Sequence, residues 1–466
     1  MCFLKQSTAQ RRALILHSSI PSTILMLSIP ALMMGLVQAV IPIIDGLFIN
    51  NIVGTVAASA IHYSAPIIGM FNAIAQGLSV AGMAIIGQAV GKGDSNDAKA
   101  VATQLTVVAF ISGLILIPLV IGAAYPISAH VNPEIADAVF ICLALNALIL
   151  PFSFTGAVYN AIKNANGRPE DAFIRILILM VLKIVLNALY IGVLRMGLVG
   201  AVLSTLTAQV LICVWMYYEL FIKAGEDRLL LKGFRFSKPI LRELAQVGLP
   251  SIISSLILNM GFYLINNEVQ KYGAIVLNGT GIASNVSNLC FLLPSSFGTA
   301  VTTLVSMNVG AGNERRARKA CLAGSLISAI TALVMIALIV PLTPRLTILF
   351  TRQQEVLDVA NSALNIYLYA VVGFGVSMVL QGALVGLGQT RIIVVISLMR
   401  VWLLRYVFIL VTEKYLGYEA VFWGNLFSNY TNMVIMIVLI SKVKWVSVIP
   451  SRKKEVAEIK EKAARP

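Results

Sequence analysis

Twelve apolar stretches, each long enough to cross a lipid bilayer, make up most of the sequence. They lie near 18–48, 59–89, 101–124, 136–162, 172–194, 197–222, 246–268, 276–308, 320–342, 358–385, 392–412 and 419–441. A helix needs about 20 apolar residues to cross roughly 30 Å of hydrocarbon. Backbone at that depth must satisfy its own hydrogen bonds, which a helix does. Only 12% of the 466 residues are charged. The sequence therefore predicts an all-α integral membrane protein with twelve transmembrane helices.

The basic residues lie mainly in every second hydrophilic gap. Most of the 35 Lys and Arg residues are in the leader, in four of the gaps, at Arg391 and after residue 441. An excess of Lys and Arg marks the cytoplasmic loops of a membrane protein. We therefore expect a multi-pass protein of the inner (plasma) membrane with both termini in the cytoplasm. This pattern accounts for the net charge of +15 without a nucleic-acid partner.

The two halves of the chain repeat each other at a nearly constant shift in residue number. The matching segments are 28–30 with 248–250, 91–93 with 310–312, 165–168 with 387–390, and 197–201 with 417–421. A shift of six spans keeps the orientation, so two six-helix lobes would be related as parallel repeats. We predict an N-lobe at 1–222, a cytoplasmic linker at 223–245, a C-lobe at 246–441 and a basic tail at 442–466. The cleft between such lobes suits alternating access, although duplication alone does not prove transport.

The sequence offers no pattern for metal, nucleotide or hydrolytic chemistry. The five cysteines form no CxxC pair, and no His, Cys, Asp and Glu cluster has metal-ligand spacing. The glycine-rich turns 91–93 and 310–312 lack the strand and the following Lys-Ser/Thr of a phosphate loop. We therefore predict no enzyme activity and no cofactor. Active transport would have to use a gradient of H⁺ or Na⁺.

Asp45 is the acid around which the first span is organised. It lies in an otherwise apolar run, with Gln38 two helical turns earlier on the same face. A carboxylate at bilayer depth normally faces a wet cavity or a partner, so we predict an ion-coupling role for Asp45. Pro42 lacks a backbone donor and is expected to bend the helix beside the acid. The alternative is that Asp45 ends a helix at the outer interface.

Lys183 is a second unusual charge, in the middle of the fifth span. Asn187 and Tyr190 follow it on the same helix face. If the first and fifth spans face each other, Lys183 pairs with Asp45 and each charge offsets the desolvation of the other. The alternative is that Lys183 reaches a backbone carbonyl or a cytoplasmic cavity. The other candidate cavity residues of the N-lobe are Tyr159 and Thr205.

Arg400 and Arg405 are two further charges inside a span. Because they are five positions apart in the sequence, they do not share a face of an α-helix. A structural role is expected for both, with an acidic group of a substrate as the other possibility.

The pattern of these segments resembles the multidrug and toxic compound extrusion (MATE) family, in particular its bacterial DNA-damage-inducible-type branch. The resemblance rests on the run from Pro30 to Asp45, on the turns 91–93 and 310–312, and on 164–167 and 386–390. It implies two six-helix lobes that export lipophilic, often cationic compounds in exchange for protons or sodium ions. It also implies functional roles for positions that match Asp45, Gln38 and Asn187. The second acid that many bacterial members of this branch carry on helix five is Ile191 here.

These observations together predict a secondary active antiporter, acting as a monomer in the bilayer on small lipophilic, cationic molecules. A lipid-linked precursor flippase of the same superfamily is the first alternative, because Lys183, Arg400 and Arg405 would suit a pyrophosphate. A polytopic membrane enzyme acting on lipids is the second alternative. It would need His, Asp, Arg or Cys residues converging at one interface, and the sequence shows no such group.

Overall fold

The computed structural model of the protein describes residues 8–53, 55–129, 131, 133–223, 228–229, 234–348, 350 and 353–446. This part of the chain is helical throughout, without strands. The α-helices are α1 (Thr8–His17), α2 (Ile20–Phe48), α3 (Thr55–Lys92), α4 (Ser95–Ala129), α5 (Pro133–Ala147), α6 (Leu150–Ala165), α7 (Pro169–Asn187), α8 (Gly197–Tyr217), α9 (Lys238–Gln270), α10 (Ala274–Gly310), α11 (Glu314–Ile339), α12 (Thr343–Thr347), α13 (Gln354–Gly386), α14 (Thr390–Leu398), α15 (Val407–Leu416) and α16 (Glu419–Lys442).

Eleven of the described helices are long and apolar enough to span a membrane, and a bent pair brings the total to twelve. The bent pair is α5 and α6, whose axes differ by 50°. Pro151 at the start of α6 cannot continue the hydrogen-bond ladder of α5. Four π-helical segments interrupt or extend the spans: Ile49–Val53, Ala188–Val193, Tyr218–Ile222 and Met399–Tyr406. The prediction of an all-α protein with twelve spans is confirmed.

The spans form two lobes. Helices α2–α8 make the N-lobe and α9–α16 make the C-lobe, and the largest core runs through both, where α3 packs against α9 and α10. The first helix of the C-lobe begins at Lys238, inside the segment predicted as the linker. Residues after 446, which include nearly all of the predicted tail, lie outside the described residues.

The two lobes repeat each other down to their turns. Gly93 and Gly312, which are counterparts in the sequence repeat, have φ angles of 79° and 78°. Each turn also closes with the same hydrogen bond, from the Gly93 amide to the Val90 carbonyl (3.0 Å) and from the Gly312 amide to the Val309 carbonyl (3.1 Å). Left-handed glycines of this kind end helices by satisfying the last carbonyls. The structure therefore confirms the predicted parallel repeat.

Backbone contact joins the lobes at one end of the molecule, beside these turns. A Cβ on Gly91 would lie 2.1 Å from the Met307 carbonyl oxygen, and a Cβ on Gly310 would lie 2.1 Å from the Gln88 carbonyl oxygen. These two contacts are counterparts under the repeat. The Gln88 side chain adds a hydrogen bond across the lobes, from Nε2 to the Gly386 carbonyl at 2.8 Å. Only glycine permits backbones to approach so closely.

Helix α1 lies across this closed end and touches both lobes. Arg11 forms an ion pair with Glu170 of the N-lobe and is 1% exposed. The Arg12 guanidinium donates to the Gly91 carbonyl at 2.8 and 3.1 Å. From the C-lobe, Arg316 donates to the Ile15 carbonyl at 3.2 Å. The described conformation is therefore closed at the end that carries the basic turns.

Candidate functional site

The N-lobe brings Asp45 together with two side chains of the fifth span. Helix α2 packs along α7, and Lys183 Nζ forms an ion pair with Asp45 Oδ2. Asn187, one turn further along α7, donates from Nδ2 to Asp45 Oδ1 at 2.9 Å. The Lys183 side chain is 7% exposed and the Asp45 side chain 27%. Of the two alternatives for Lys183, the contact with Asp45 is the one present, and the Asp45 side chain stays partly exposed.

Ser204 completes this polar cluster and was not predicted. Its hydroxyl donates to Asn187 Oδ1, and it is fully buried on α8. By accepting this bond, Asn187 Oδ1 is held so that its amide group faces Asp45. Helix α8 carries several hydroxyl residues in sequence, and the prediction named Thr205. Thr205 is half-buried and donates to the Ala201 carbonyl of its own helix at 3.2 Å.

The other predicted residues lie on α2 and in the segment Ala188–Val193, which follows α7. Gln38 and Pro42 are exposed on α2. Helix α2 continues through Pro42 to Phe48, and the part of it identified as a membrane span is Ile20–Pro42. The Tyr190 hydroxyl lies 3.5 Å from Thr207 Oγ1. The bending role of Pro42 stays a prediction.

Tyr159 belongs to a different polar cluster, and the structure does not bring it to Asp45. Its hydroxyl donates to Glu219 Oε2 at 2.5 Å, and Lys163 bridges Glu219 (2.6 Å) and Asp171 (3.2 Å). Asp171 lies more than three helical turns before Lys183 on α7, which corresponds to about 18 Å along a helix. Tyr159 lines a separate cavity of about 220 Å³ with Asp171 and Glu219.

Ile191 occupies the position at which the resemblance noted from the sequence would place a second acid. It lies in the π-helical segment Ala188–Val193 and is 1% exposed. It packs in an apolar cluster with Ile49, Ala57 and Ala201. Burying a carboxylate in such surroundings without a partner is costly. Asp45 is therefore the acid that this N-lobe cluster contains.

In this cluster the negative charge of the ionised Asp45 carboxylate is balanced by the positive charge of Lys183. Both oxygens of Asp45 accept from side chains, one of them from a cation. Protonation would remove the attraction to Lys183 and leave that ammonium without its counter-charge. A change in the charge of Asp45 would therefore change the contacts between α2 and α7.

Comparisons with known proteins agree with this architecture. The MatE family model matches residues 30–189 and 250–411, one match in each lobe. The probable multidrug resistance protein YpnP of Bacillus subtilis is 24% identical over 414 residues, which cover 86% of this chain and 90% of the relative. The probable multidrug resistance protein NorM of Thermotoga maritima is 23% identical over 430 residues, covering 90% of each.

Two solved structures share the fold. A MOP superfamily transporter from Pyrococcus furiosus, described as having a binding pocket of reverse polarity, superposes with a TM-score of 0.88 at 22% identity. The match covers 94% of this chain and 98% of that one. An outward-facing multidrug resistance MATE family transporter gives a TM-score of 0.84 at 22% identity, with 92% and 96% covered. Because the family model covers most of both lobes, this chain is a membrane transporter of the MatE family.

Proposed function

We propose that this protein exports lipophilic small molecules, cationic compounds among them, in exchange for protons. Membership of the MatE family and relatives named as multidrug resistance proteins support export. The observation that carries the coupling is the Asp45 carboxylate held by Lys183 and Asn187. One chain contains both lobes, so a monomer in the inner membrane is the transport unit.

The coupling step is a change in the charge of Asp45. When ionised, the carboxylate holds Lys183 and Asn187 and ties α2 to α7. A proton arriving from outside neutralises the acid and weakens both contacts, because the ammonium no longer meets an opposite charge. The missing backbone donor at Pro42 leaves α2 free to bend nearby. The altered cavity then releases its substrate outward, and the proton leaves on the cytoplasmic side.

The closed end of the molecule fits this cycle. Many of the basic residues that predict a cytoplasmic location lie at this end. They are on α1 and near the two turns that contact each other across the lobes. The described conformation would therefore be shut towards the cytoplasm, the state in which an external proton reaches Asp45.

The proposal is tested by efflux of a fluorescent lipophilic cation from proteoliposomes, with the driving ion as the variable. We expect an imposed pH gradient to drive export and an imposed sodium gradient to leave the rate within about twofold of the rate without a gradient. Export that responds only to sodium contradicts proton coupling. No export under either gradient contradicts the proposal and favours the flippase alternative.

Lys183→Met should lower the rate of pH-driven export. Methionine keeps much of the apolar length of the side chain but has no ammonium, so Asp45 loses one of its two contacts to α7. Because removing one partner of a buried ion pair is strongly destabilising, we expect the rate to fall by about tenfold or more. The matched control is Lys442→Met at the exposed end of α16. A rate equal to that of the wild-type protein would show that the ion pair is not needed for coupling.

A further inference from the structure

The C-lobe contains a cavity that the proposed coupling step does not use. Its volume is about 760 Å³, within the range of small-molecule sites. Helices α9, α10, α13 and α16 line it together with the segment Met399–Tyr406, and Gln76 of α3 borders it from the N-lobe. The cavity therefore lies beside the contact between the lobes.

Two arginines, Arg400 and Arg405, face this cavity. The sequence placed them on different helix faces, and this was wrong because the segment that carries them is π-helical. A π-helix bonds residue i to i+5, so residues at that spacing come close to one side. Trp402, between them, donates to the Ile257 carbonyl at 3.0 Å and holds the segment against α9.

Both guanidiniums lack a carboxylate partner in the part of the chain that the structure describes. Among those residues, neither arginine has an acidic oxygen within 4.0 Å, and the described lining contains no Asp or Glu. Their neighbours are aromatic rings instead: Arg400 lies 5.4 Å from the Phe374 centroid and Arg405 lies 5.8 Å from the Phe262 centroid. Two cations without a counter-charge at membrane depth are costly, and cation–π contacts offset only part of that cost.

The internal repeat shows how the C-lobe differs from the N-lobe. The repeat that matches 28–30 with 248–250 makes Ile265 the counterpart of Asp45, and Ile265 is buried and lines the cavity. The turns 165–168 and 387–390, aligned on their left-handed glycines, place the counterpart of Lys183 at Leu404, directly beside Arg405. The C-lobe thus carries a cation one position away from the counterpart of Lys183, and has an apolar residue in place of the acid that neutralises Lys183.

The remaining lining offers polar groups and an apolar wall. Three buried polar atoms there have no hydrogen-bond partner among the described residues: Thr280 Oγ1, Arg405 Nε and Asn429 Oδ1. On another wall, the Phe291 and Phe374 rings pack with centroids 4.7 Å apart. Arginine forks match carboxylate and phosphate oxygens, and aromatic walls accept an apolar body.

We propose that the C-lobe cavity binds an amphipathic organic anion, with its carboxylate or phosphate held by Arg400 and Arg405 and its apolar part on the phenylalanine wall. This extends the substrate range of the proposed exporter to acidic compounds, and it rests on the proposed function only for the route by which the anion leaves. Binding needs no gradient, so failure of this inference and failure of coupled export are distinguishable.

The test compares two probes that differ only in charge. Dansylglycine carries a carboxylate, and dansylglycinamide replaces it with a neutral amide. Each is titrated by fluorescence into purified protein in phosphatidylcholine nanodiscs at low chloride. We expect the wild-type protein to bind dansylglycine at least about tenfold more tightly, since a hydrogen bond between charged groups contributes at least that factor. Equal affinity for the two probes overturns the inference.

Variants of the two arginines test whether Arg400 and Arg405 cause the preference for dansylglycine. Arg400→Gln/Arg405→Gln should bind both probes within about twofold of each other, while Arg391→Gln, an exposed arginine of α14, keeps the wild-type preference. A preference that survives in the double glutamine variant overturns the assignment. Arg400→Lys/Arg405→Lys keeps both charges and should retain most of the preference. The wild-type comparison decides the proposal even where a variant does not fold.

A final arm identifies the source of the anion. Nanodiscs with phosphatidylglycerol supply an anionic headgroup at the same site. Competition with dansylglycine that disappears in the double glutamine variant assigns the cavity to a lipid headgroup, and unchanged dansylglycine binding assigns it to a soluble anion. Both outcomes support an anion site at the two arginines.

Discussion

Asp45→Asn is expected to abolish export driven by a pH gradient while leaving substrate binding nearly unchanged. Asparagine has almost the same shape and still accepts a hydrogen bond from Lys183, but it does not take up or release a proton in the physiological range. The variant therefore keeps the cluster of α2 and α7 without its change of charge. We expect the rate of export driven by the pH gradient to fall by about 100-fold or more. Coupling needs a group that is protonated in one conformation of the transporter and ionised in the other.

The measurement is the initial rate of efflux from proteoliposomes, with and without the gradient, beside equilibrium binding of the same fluorescent cation. Binding within about threefold of the wild-type value separates lost coupling from lost folding. Asp358→Asn is the matched control, because Asp358 is an exposed acid on α13. Full export driven by the pH gradient in Asp45→Asn would refute the mechanism and move the coupling site elsewhere.

The apolar runs and the internal repeat were enough to predict the fold, and they left the pairing of Asp45 with Lys183 as one of two possibilities. An apolar run of spanning length crosses a bilayer as a helix, because its backbone must satisfy its own hydrogen bonds. The internal repeat relates the two lobes. The pairing was considered because a buried charge needs a partner, and the structure shows it in place of the backbone carbonyl that was the alternative for Lys183. The same argument predicts nothing for cations that stay unpaired, which is why the cavity at Arg400 and Arg405 emerged only from the structure.

The details that the sequence did not reveal depend on helix rotation and on irregular turns. In a bilayer, helices are apolar all round, so periodicity does not mark the inward face. Thr205 was therefore named where its neighbour Ser204 reaches Asn187. Tyr159 was predicted as a cavity residue of the N-lobe, and it lines a cavity there, but its bond to Glu219 places that cavity away from Asp45. The π-helical segment around Arg400 follows from tertiary packing that no local signal in the sequence predicts.

Gly91→Leu is expected to open the closed end of the molecule. A Cβ at this position would lie 2.1 Å from the Met307 carbonyl oxygen, well inside the usual separation of about 3.5 Å. The neighbour is backbone, so no change of rotamer relieves the overlap, and the lobes must move apart. Overpacking of this kind costs about 1–3 kcal/mol. That cost lowers the population of the closed state by about 5- to 150-fold relative to a state in which this end is open.

Spin labels at Ser95 and Arg315 measure this opening, since both residues are exposed at the starts of α4 and α11, directly after the counterpart turns of the two lobes. In Gly91→Leu the main distance should lengthen, and pH-driven export should fall by about tenfold because the transporter no longer returns to the state in which an external proton reaches Asp45. Gly69→Leu is the matched control on the same helix, because no described atom lies within 4 Å of a Cβ there. An unchanged distance between the labels in Gly91→Leu would mean that the backbone near Gly91 shifts locally without separating the lobes. The close approach of Gly91 to Met307 would then not control the closed state.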